Sequence, residues 1–469
     1  MAAWTRLGVV ALTLATAGCA TPRIAAPEAG IPVPETWSET QAAPATLDLV
    51  AYWQLLDDPL LSEFVETAIA NNLDLAQSAA RLGQARAQLR GARAGFLPQL
   101  SGSGRVSRDV GDGATDDLFV SAGVDASWEA DLFGRIGSDV AASEADLAAA
   151  GYSLADLQRL ITGQVALSTI SARATAVQLA IARDTLAYQD ENLQIARWRV
   201  QAGLVSSLDV EQARSQRAQT AATIPLLESN LAATANAIST LIGEPPGRVL
   251  DLLEDSTEVP DPPVLAGFEA PAEVLRRRPD VRSAEASLLA STARIEGARA
   301  QLLPLVRLGG TIGTSSIGLD SLFDLITGNI FGTVSQLIFD GGRTRSQIDN
   351  AEAAAEGALA AWRLSILGAL EEVETSAVDL EKANERVTLF GEALDAASNS
   401  ALLARSQYQA GLTDFQNLLV SENQLLSARN SQVSAEAERA SAFVRLTQAL
   451  GGGWQPADYP LALTDRTRP

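Results

Sequence analysis

The chain has 469 residues but no histidine, one cysteine (Cys19), one methionine and one lysine (Lys382). Each scarcity removes a class of chemistry. Without histidine there is no Ser-His-Asp or Cys-His nucleophile pair and no imidazole metal ligand. A single cysteine forms no intrachain disulfide and no thiolate zinc cluster. Aromatic residues make up only 5% of the chain, thin for the lining of an enzyme pocket. Basic residues are outnumbered 35 to 57, and a net charge of −22 offers no basic surface to a phosphate backbone. Neither a phosphate loop nor a nucleophile elbow is present. Hydrolysis by two carboxylates remains chemically open.

What is present begins at the N-terminus. In residues 1–18 Arg6 is the only charge, and Leu7 to Ala15 is a short, mostly apolar run, too short to cross a ~30 Å hydrocarbon core as a permanent helix. Ala17-Gly18-Cys19 resembles a bacterial lipobox with Thr16 in place of the usual leucine. Residues 1–18 therefore read as a lipoprotein signal and Cys19 as the acylated first residue of the mature chain. The alternative is an ordinary export signal with an incidental cysteine. Cleavage would remove only Arg6, leaving the charge one unit more negative than −22. Two or three acyl chains hold firmly, at ~0.8 kcal/mol per buried CH₂. Residues 19–46, rich in Pro and Ala, read as an extended tether.

The rest of the chain is written twice. Ala70-Asn71-Asn72-Leu73-Asp74 aligns with Arg276-Arg277-Arg278-Pro279-Asp280 at an offset of 206, and Gly95-Phe96-Leu97-Pro98 with Gln301-Leu302-Leu303-Pro304. Leu132-Phe133-Gly134-Arg135 aligns with Asp340-Gly341-Gly342-Arg343, and Gln201-Ala202-Gly203-Leu204 with Gln409-Ala410-Gly411-Leu412, at an offset of 208. Such a period is too long for a solenoid unit. It divides the chain into a first repeat over 47–242, a linker over 243–267, a second repeat over 268–450 and a C-terminal tail over 451–469.

Each repeat predicts the same order of elements. A helix of about 35 residues (59–95 and 270–302) ends ahead of Pro98 or Pro304. Two short strands follow, near 97–108 and 118–131, then 305–314 and 330–340. Leu118, Val120, Ala122, Val124, Ala126 and Trp128 alternate with Phe119, Ser121, Gly123, Asp125, Ser127 and Glu129, a period of two with one apolar face. Val306, Leu308 and Ile312 alternate likewise with Arg307, Gly309, Thr311 and Gly313. A long helix then runs uninterrupted by proline over 135–201 and 343–409, about 100 Å each. In the second, Leu359, Trp362, Ile366, Leu370 and Val373 step by threes and fours, as in coiled coils. Gly203 and Gly411 end these helices. Return helices cover 207–242, with Pro225 as a kink, and 415–450.

Four amphipathic strands cannot close a barrel alone. A membrane strand tolerates no free edge, and eight strands is the usual minimum. Strands of this kind demand an oligomer if they lie in a bilayer, and three chains would supply twelve.

These features carry a family resemblance. The duplicated layout, the lipobox and the segments Leu275 to Glu285, Phe96-Leu97-Pro98, Trp128 to Arg135 and Phe339 to Arg343 resemble the TolC/OprM outer-membrane efflux proteins, in their NodT-type lipoprotein branch. The resemblance covers essentially the whole mature chain. It implies a mainly α fold with a small β part: a homotrimer whose 12-stranded β-barrel continues into a periplasmic α-helical barrel. Such a duct sits in the cell outer membrane and works with a periplasmic adaptor and an inner-membrane pump of the resistance–nodulation–division type. It needs no cofactor beyond the lipid on Cys19.

The resemblance also assigns site residues. The hairpin turns become the periplasmic tip, with an adaptor contact around Gly203, Leu204, Ser207, Gly411, Leu412 and Thr413. Ser206, Ser207, Thr413 and Asp414 are candidate helix caps. Tyr408 and Asp209 take the places of a tyrosine–aspartate bond that closes the resting duct. Asn417 and Val420 replace aspartates that often form a constricting ring, and Asp414 offers a substitute. As plain structure, these turns are αα-hairpins and Asp209 is a helix-start carboxylate. Arg276-Arg277-Arg278 reads as a solvated basic cluster, and Glu371-Glu372-Glu374 as a solvated or duct-lining face rather than a catalytic pair. The acid excess predicts a cation-favouring interior. Competing readings are metal efflux, type I protein secretion, a lipid-anchored periplasmic coiled coil and, last, a carboxylate hydrolase. The alternating strand at 118–129 has no use in a coiled coil.

Overall fold

The structure is a computed structural model and describes residues 27–38, 49–112, 117–254, 258–263, 267 and 269–455. Residues 1–18 and Cys19 lie outside the described residues. After a 3-10 turn at Tyr52–Leu56 come α1 (Pro59–Asn71), α2 (Leu73–Ala94), β1 (Gln99–Arg108), β2 (Leu118–Ala130), α3 (Arg135–Gln201) and α4 (Ser207–Leu241). A short helix, α5 (Arg248–Glu254), lies between the halves. The second half is α6 (Pro271–Arg277), α7 (Pro279–Ala300), β3 (Leu305–Ile317), β4 (Ile326–Ser335), α8 (Arg343–Gln409) and α9 (Phe415–Ala449).

The duplication is visible in the helix lengths. α3 and α8 have 67 residues each, α4 and α9 have 35, and α2 and α7 have 22. Both long helices start after a left-handed glycine, Gly134 (φ 76) or Gly342 (φ 90). Pro225 lies inside α4 without ending it. The expected linker holds a helix of its own: Val249 and Leu253 of α5 are fully buried, and burying each contributes ~1.5–3 kcal/mol. The strands also shift from expectation. β3 runs on to Ile317 and β4 starts at Ile326, because Thr314 pairs with Ile326 in the ladder.

The helix ahead of each strand pair is not one piece. Asn72 (φ −62, ψ 129) and Arg278 (φ −64, ψ 122) leave the helical region and divide it. Asn72 Oδ1 caps α2, accepting from the N–H groups of Asp74 (2.9 Å) and Leu75 (3.0 Å). Pro279 forces the extended geometry on Arg278. The two joints then make the same tie. Asn72 Nδ2 donates to the Leu241 carbonyl at 2.8 Å, and Arg278 Nη1 donates to the Ala449 carbonyl at 2.8 Å. Leu241 and Ala449 end α4 and α9, so each half locks its joint to the end of its own return helix.

This geometry corrects the reading of the arginine triplet as a solvated cluster. Arg278 is 2% exposed. Its Nε and Nη2 grip Asp280 at 3.0 and 2.7 Å, and Nη2 also pairs with Glu372 at 2.7 Å. Arg277 donates twice to the Leu450 carbonyl (3.1 and 2.9 Å) and pairs with Glu269. Only Arg276, paired with Glu273, is exposed. Burial pushes the Asp280 carboxyl up, but the Arg278 guanidinium outweighs it and holds the group below the usual carboxylate range.

The main core lies beside these joints. Tyr52, Phe64, Ile170, Leu231 and Phe443 are fully buried in one cluster that joins the 3-10 turn, α1, α3, α4 and α9. Gly163 lets α3 approach α9: a Cβ there would fall 1.6 Å from Gln448 Nε2, which donates to the Arg159 carbonyl. Part of the expected tether is docked. Ala29 accepts from Arg363 Nε (2.7 Å), Trp37 Nε1 donates to the Glu269 carbonyl (2.7 Å), and Ser38 N–H donates to Glu374 (2.8 Å). Lys382 stands exposed on α8, 2.9 Å from both Glu381 and Glu385.

Candidate functional site

The four strands form one antiparallel meander in the order β1-β2-β3-β4. Its register aligns Val106 with Val120, Val120 with Ser316, Val124 with Ile312, Leu308 with Gly332 and Val306 with Val334. Because side chains alternate along a strand, one face collects Leu100, Val106, Val120, Val124, Trp128, Leu308, Ile312, Ile326, Ile330 and Val334. The other collects Ser101, Arg105, Ser121, Asp125, Glu129, Arg307, Thr311, Asn329 and Thr333. Most of the apolar face is uncovered, with Ile330 92% exposed, while Val120 is buried. Among the described residues both sheet edges, β1 and β4, are unpaired. Water penalises such a face and such edges.

Strands of 10 to 13 residues match the ~9–11 that a tilted membrane strand needs. The polar face balances its charges, Arg105 and Arg307 against Asp125 and Glu129. Glu129 holds Arg135 at 2.7 Å and stands opposite Arg307. The acid excess of the chain therefore does not come from the sheet. Phe331 lies across Gly309 on this face, where a Cβ would meet its ring at 2.5 Å. Sequence alternation showed the faces of β2 and β3 only. Glycines 102, 104, 328 and 332 interrupt the apolar sides of β1 and β4, so these faces become legible only through the pairing.

The Asp131 and Asp340 segments turn strand into helix. Asp131 accepts from the N–H groups of Ile136 (3.1 Å) and Gly137 (2.7 Å). Asp340 accepts from Gly342 N–H (3.0 Å), Thr344 N–H (2.8 Å) and the Thr344 hydroxyl (2.7 Å). These bonds, the side-chain one first, hold its carboxyl below the usual range.

At the far end of α3 and α8, Gly203 (φ 72) and Gly411 (φ 74) reverse the chain. Leu204 N–H returns to the Arg199 carbonyl and Leu412 N–H to the Gln407 carbonyl, both at 2.9 Å, the C-cap bonding a left-handed glycine permits. Leu204 and Leu412 are exposed, as are Gly203, Ser207 and Gly411, while Thr413 is half-buried. Of the four candidate caps, Ser206 (to Leu208 N–H) and Asp414 (to Asn417 N–H, 2.9 Å) serve. Asn417 Nδ2 also donates to Thr413 Oγ1 at 3.1 Å. Asp414 is thus engaged as a cap at an exposed position.

Tyr408 is 2% exposed, and among the described residues its hydroxyl makes no hydrogen bond of full geometry, although the Arg199 guanidinium stands close enough to act on it. The hydroxyl does not bond to the half-buried Asp209. The partner that does reach Tyr408 is Arg199, a residue the sequence did not single out: Nη1 donates to the Tyr408 carbonyl at 3.0 Å, and the guanidinium lies 4.5 Å from the ring centroid. Glu372 and Glu374 are tied to Arg278 and Ser38. Among the described residues, no group of acidic side chains is arranged to hold a metal ion.

Comparison with known proteins agrees with this architecture. The family described as outer membrane efflux protein matches residues 64–244 and again 270–452, one match per repeat. Nodulation protein T of Rhizobium leguminosarum bv. trifolii is 31% identical over 463 residues, covering 97% of this chain and 98% of that protein. The pyoverdine export outer membrane protein OpmQ of Pseudomonas aeruginosa is 30% identical, covering 93% and 95%. Among solved structures, the outer-membrane channel OprN superposes with a TM-score of 0.84 at 31% identity, covering 93% of this chain and all of that one. A duplicated chain with a two-faced sheet on long helical hairpins, matched twice by one family, belongs to the outer membrane efflux protein family.

Proposed function

We propose that three copies of the chain close their sheets into one 12-stranded barrel and form the exit duct of a tripartite efflux system. The observation that carries this reading is the sheet: one face apolar, one polar, and both edges open. Four strands fall short of the usual eight, and three copies pair every edge. The apolar face then meets lipid and the polar face lines water. α3 and α8 each contain a stretch apolar enough to cross a bilayer, but each runs on for about 100 Å, a span suited to the periplasm. The exposed Leu204 and Leu412, with Gly203, Ser207, Gly411 and Thr413, form the contact for a periplasmic adaptor. An inner-membrane resistance–nodulation–division pump supplies the cargo, small toxic compounds or drugs.

Cys19 carries the lipid in this reading. Ala29 lies ten residue steps further along the chain, a reach of at most ~36 Å. Ala29 is bonded to Arg363, 20 residues into α8, or ~30 Å from its start beneath the sheet. The chain is long enough to bring acyl groups on Cys19 to the inner face of the membrane. Radiolabelled palmitate should enter the wild type and not Cys19→Ser.

Deletion of the coding sequence, with a panel of toxic compounds, tests the duct. Heightened susceptibility, reversed by the wild-type copy, is expected, together with a trimer mass in detergent. A monomer without ion conductance, from a deletion without phenotype, would sink the proposal.

A further inference from the structure

We propose that residues 336–338 and 109–111 become strand only against a second copy of this chain, in a register fixed by the duplication: Thr327 opposite Gly111 at one end, Ile338 opposite Leu100 of the next copy at the other. This seam rests on the duct reading and gives it residue-level detail.

The two strand hairpins show that duplication preserved the pairing to the residue. The segment ahead of β1 repeats ahead of β3 at an offset of 206, and the segment after β2 repeats after β4 at 208. Moving β1 forward by 206 and β2 by 208 turns the pair Gln99–Ser127 into Leu305–Ser335, and Arg108–Leu118 into Thr314–Ile326. Both are observed pairs. The inner seam, β2 on β3, joins the first repeat to the second. Its counterpart must join the second repeat to a first repeat. Within one chain β1 and β4 are opposite edges, so another copy has to supply that strand. Moving β2 forward by 208 and β3 back by 206 turns Phe119–Ile317 into Thr327–Gly111, and Ala130–Val306 into Ile338–Leu100.

The strand ends point to the same register. β2 runs to Ala130, and its last residues, 128–130, pair with β3 alone. β4 stops at Ser335, and the counterparts 336–338 lie outside any strand. β1 likewise stops at Arg108, short of 109–111, whose counterparts 315–317 pair with β2 alone. Each edge strand is thus short by the residues that only a neighbour would hold. Ile338 and Val110 stand 97% and 89% exposed at the two ends. The seam sets Ile338 beside Leu100, and Val110 beside Gly328, on the apolar face. Side-chain size alternates across it as well: Gly332 falls between Leu308 and Val106, and Val334 between Val306 and Gly104. A slip of two residues one way sets Gly332 beside Gly104 and leaves a gap. The opposite slip sets Val334 against Val106. A slip of one turns every side chain to the other face.

Oxidative cross-linking of paired cysteines in the full chain, read on non-reducing gels, tests the register, with wild type, which keeps Cys19, as background. Opposed residues alternate in hydrogen-bonding type along an antiparallel ladder, so one pair is placed on each face: Ser103→Cys with Ser335→Cys, and Gly104→Cys with Val334→Cys. On at least one face the in-register pair should link copies several-fold more than its slipped controls. These are Ser335→Cys with Ser101→Cys or Arg105→Cys, and Val334→Cys with Gly102→Cys or Val106→Cys. Wild-type trimers give a second measurement free of substitutions: amide hydrogen exchange at 336–338 should be as slow as at the counterparts 128–130. Exchange there as fast as in an open chain overturns the added strand. A slipped pair that links best, or a trimer in which no pair links, overturns the register and leaves the duct intact. A wild-type protein that runs as a monomer overturns the duct and the seam with it.

Discussion

Three consecutive arginines, Arg276, Arg277 and Arg278, should differ steeply in what they contribute to stability. Arg278→Ala removes a side chain that is 3% exposed, leaving Asp280 without its bidentate partner and the Ala449 carbonyl without its donor. Breaking one side of such a buried pair costs about 3–5 kcal/mol. Arg278→Lys keeps a charge but loses the fork that serves Asp280 and Ala449 together, so its loss should fall between. Arg277→Ala leaves the carbonyl of the buried Leu450 without this donor, about 1–3 kcal/mol. Arg276→Ala removes a pair whose arginine is 72% exposed, worth about 0–1 kcal/mol. The equivalent joint in the first half offers a control. Asn72→Ala loses a cap, about 1 kcal/mol, and strands the Leu241 carbonyl, about 1–3 kcal/mol more. Denaturant unfolding of the detergent-purified protein, followed by far-ultraviolet circular dichroism, ranks these variants. Equal midpoints for Arg276→Ala and Arg278→Ala would refute the argument and restore the triplet to the surface.

Other outcomes follow from single contacts. Asp280 has a folded pKa below its unfolded value of about 3.9. Its contribution is thus complete above that pH and is lost as pH falls through the folded value. The stability gap between wild type and Asp280→Asn should be wide at pH 7 and close below about pH 4, and a gap independent of pH would contradict this. Gly163→Ala drives a methyl into Gln448 and should cost about 1–3 kcal/mol, read as a lower unfolding midpoint. Asp131→Ala strips the start of α3 of its acceptor and should cost about 1 kcal/mol, with faster hydrogen exchange at Ile136 and Gly137.

Features set by local chemistry were the most legible in the sequence. Left-handed glycines and proline-free runs gave α3 and α8 with the bounds at which they stand, 135–201 and 343–409. The repeats were readable because duplicated caps and turns keep their residue types. What stayed hidden depends on distant partners. Nothing near Arg278 announces the Ala449 carbonyl 171 residues away, so the triplet looked solvated. The break at Asn72 is not legible, because an asparagine inside a helical pattern reveals its capping role only when the chain turns. The sheet faces of β1 and β4 needed the register. At the tip, the glycine turns and the Asp414 cap could be read directly. The Arg199–Tyr408 contact crosses between hairpins and leaves no spacing signal.

The lone lysine has a practical consequence. Lys382 is exposed near the middle of α8, and the chain holds no second lysine. A reagent for side-chain amines would therefore find one address per protomer. Three dyes in a trimer would form an equilateral triangle around the axis of the helical barrel. Its edge is a ruler, and energy transfer along it would report dilation of the wall without an engineered label site.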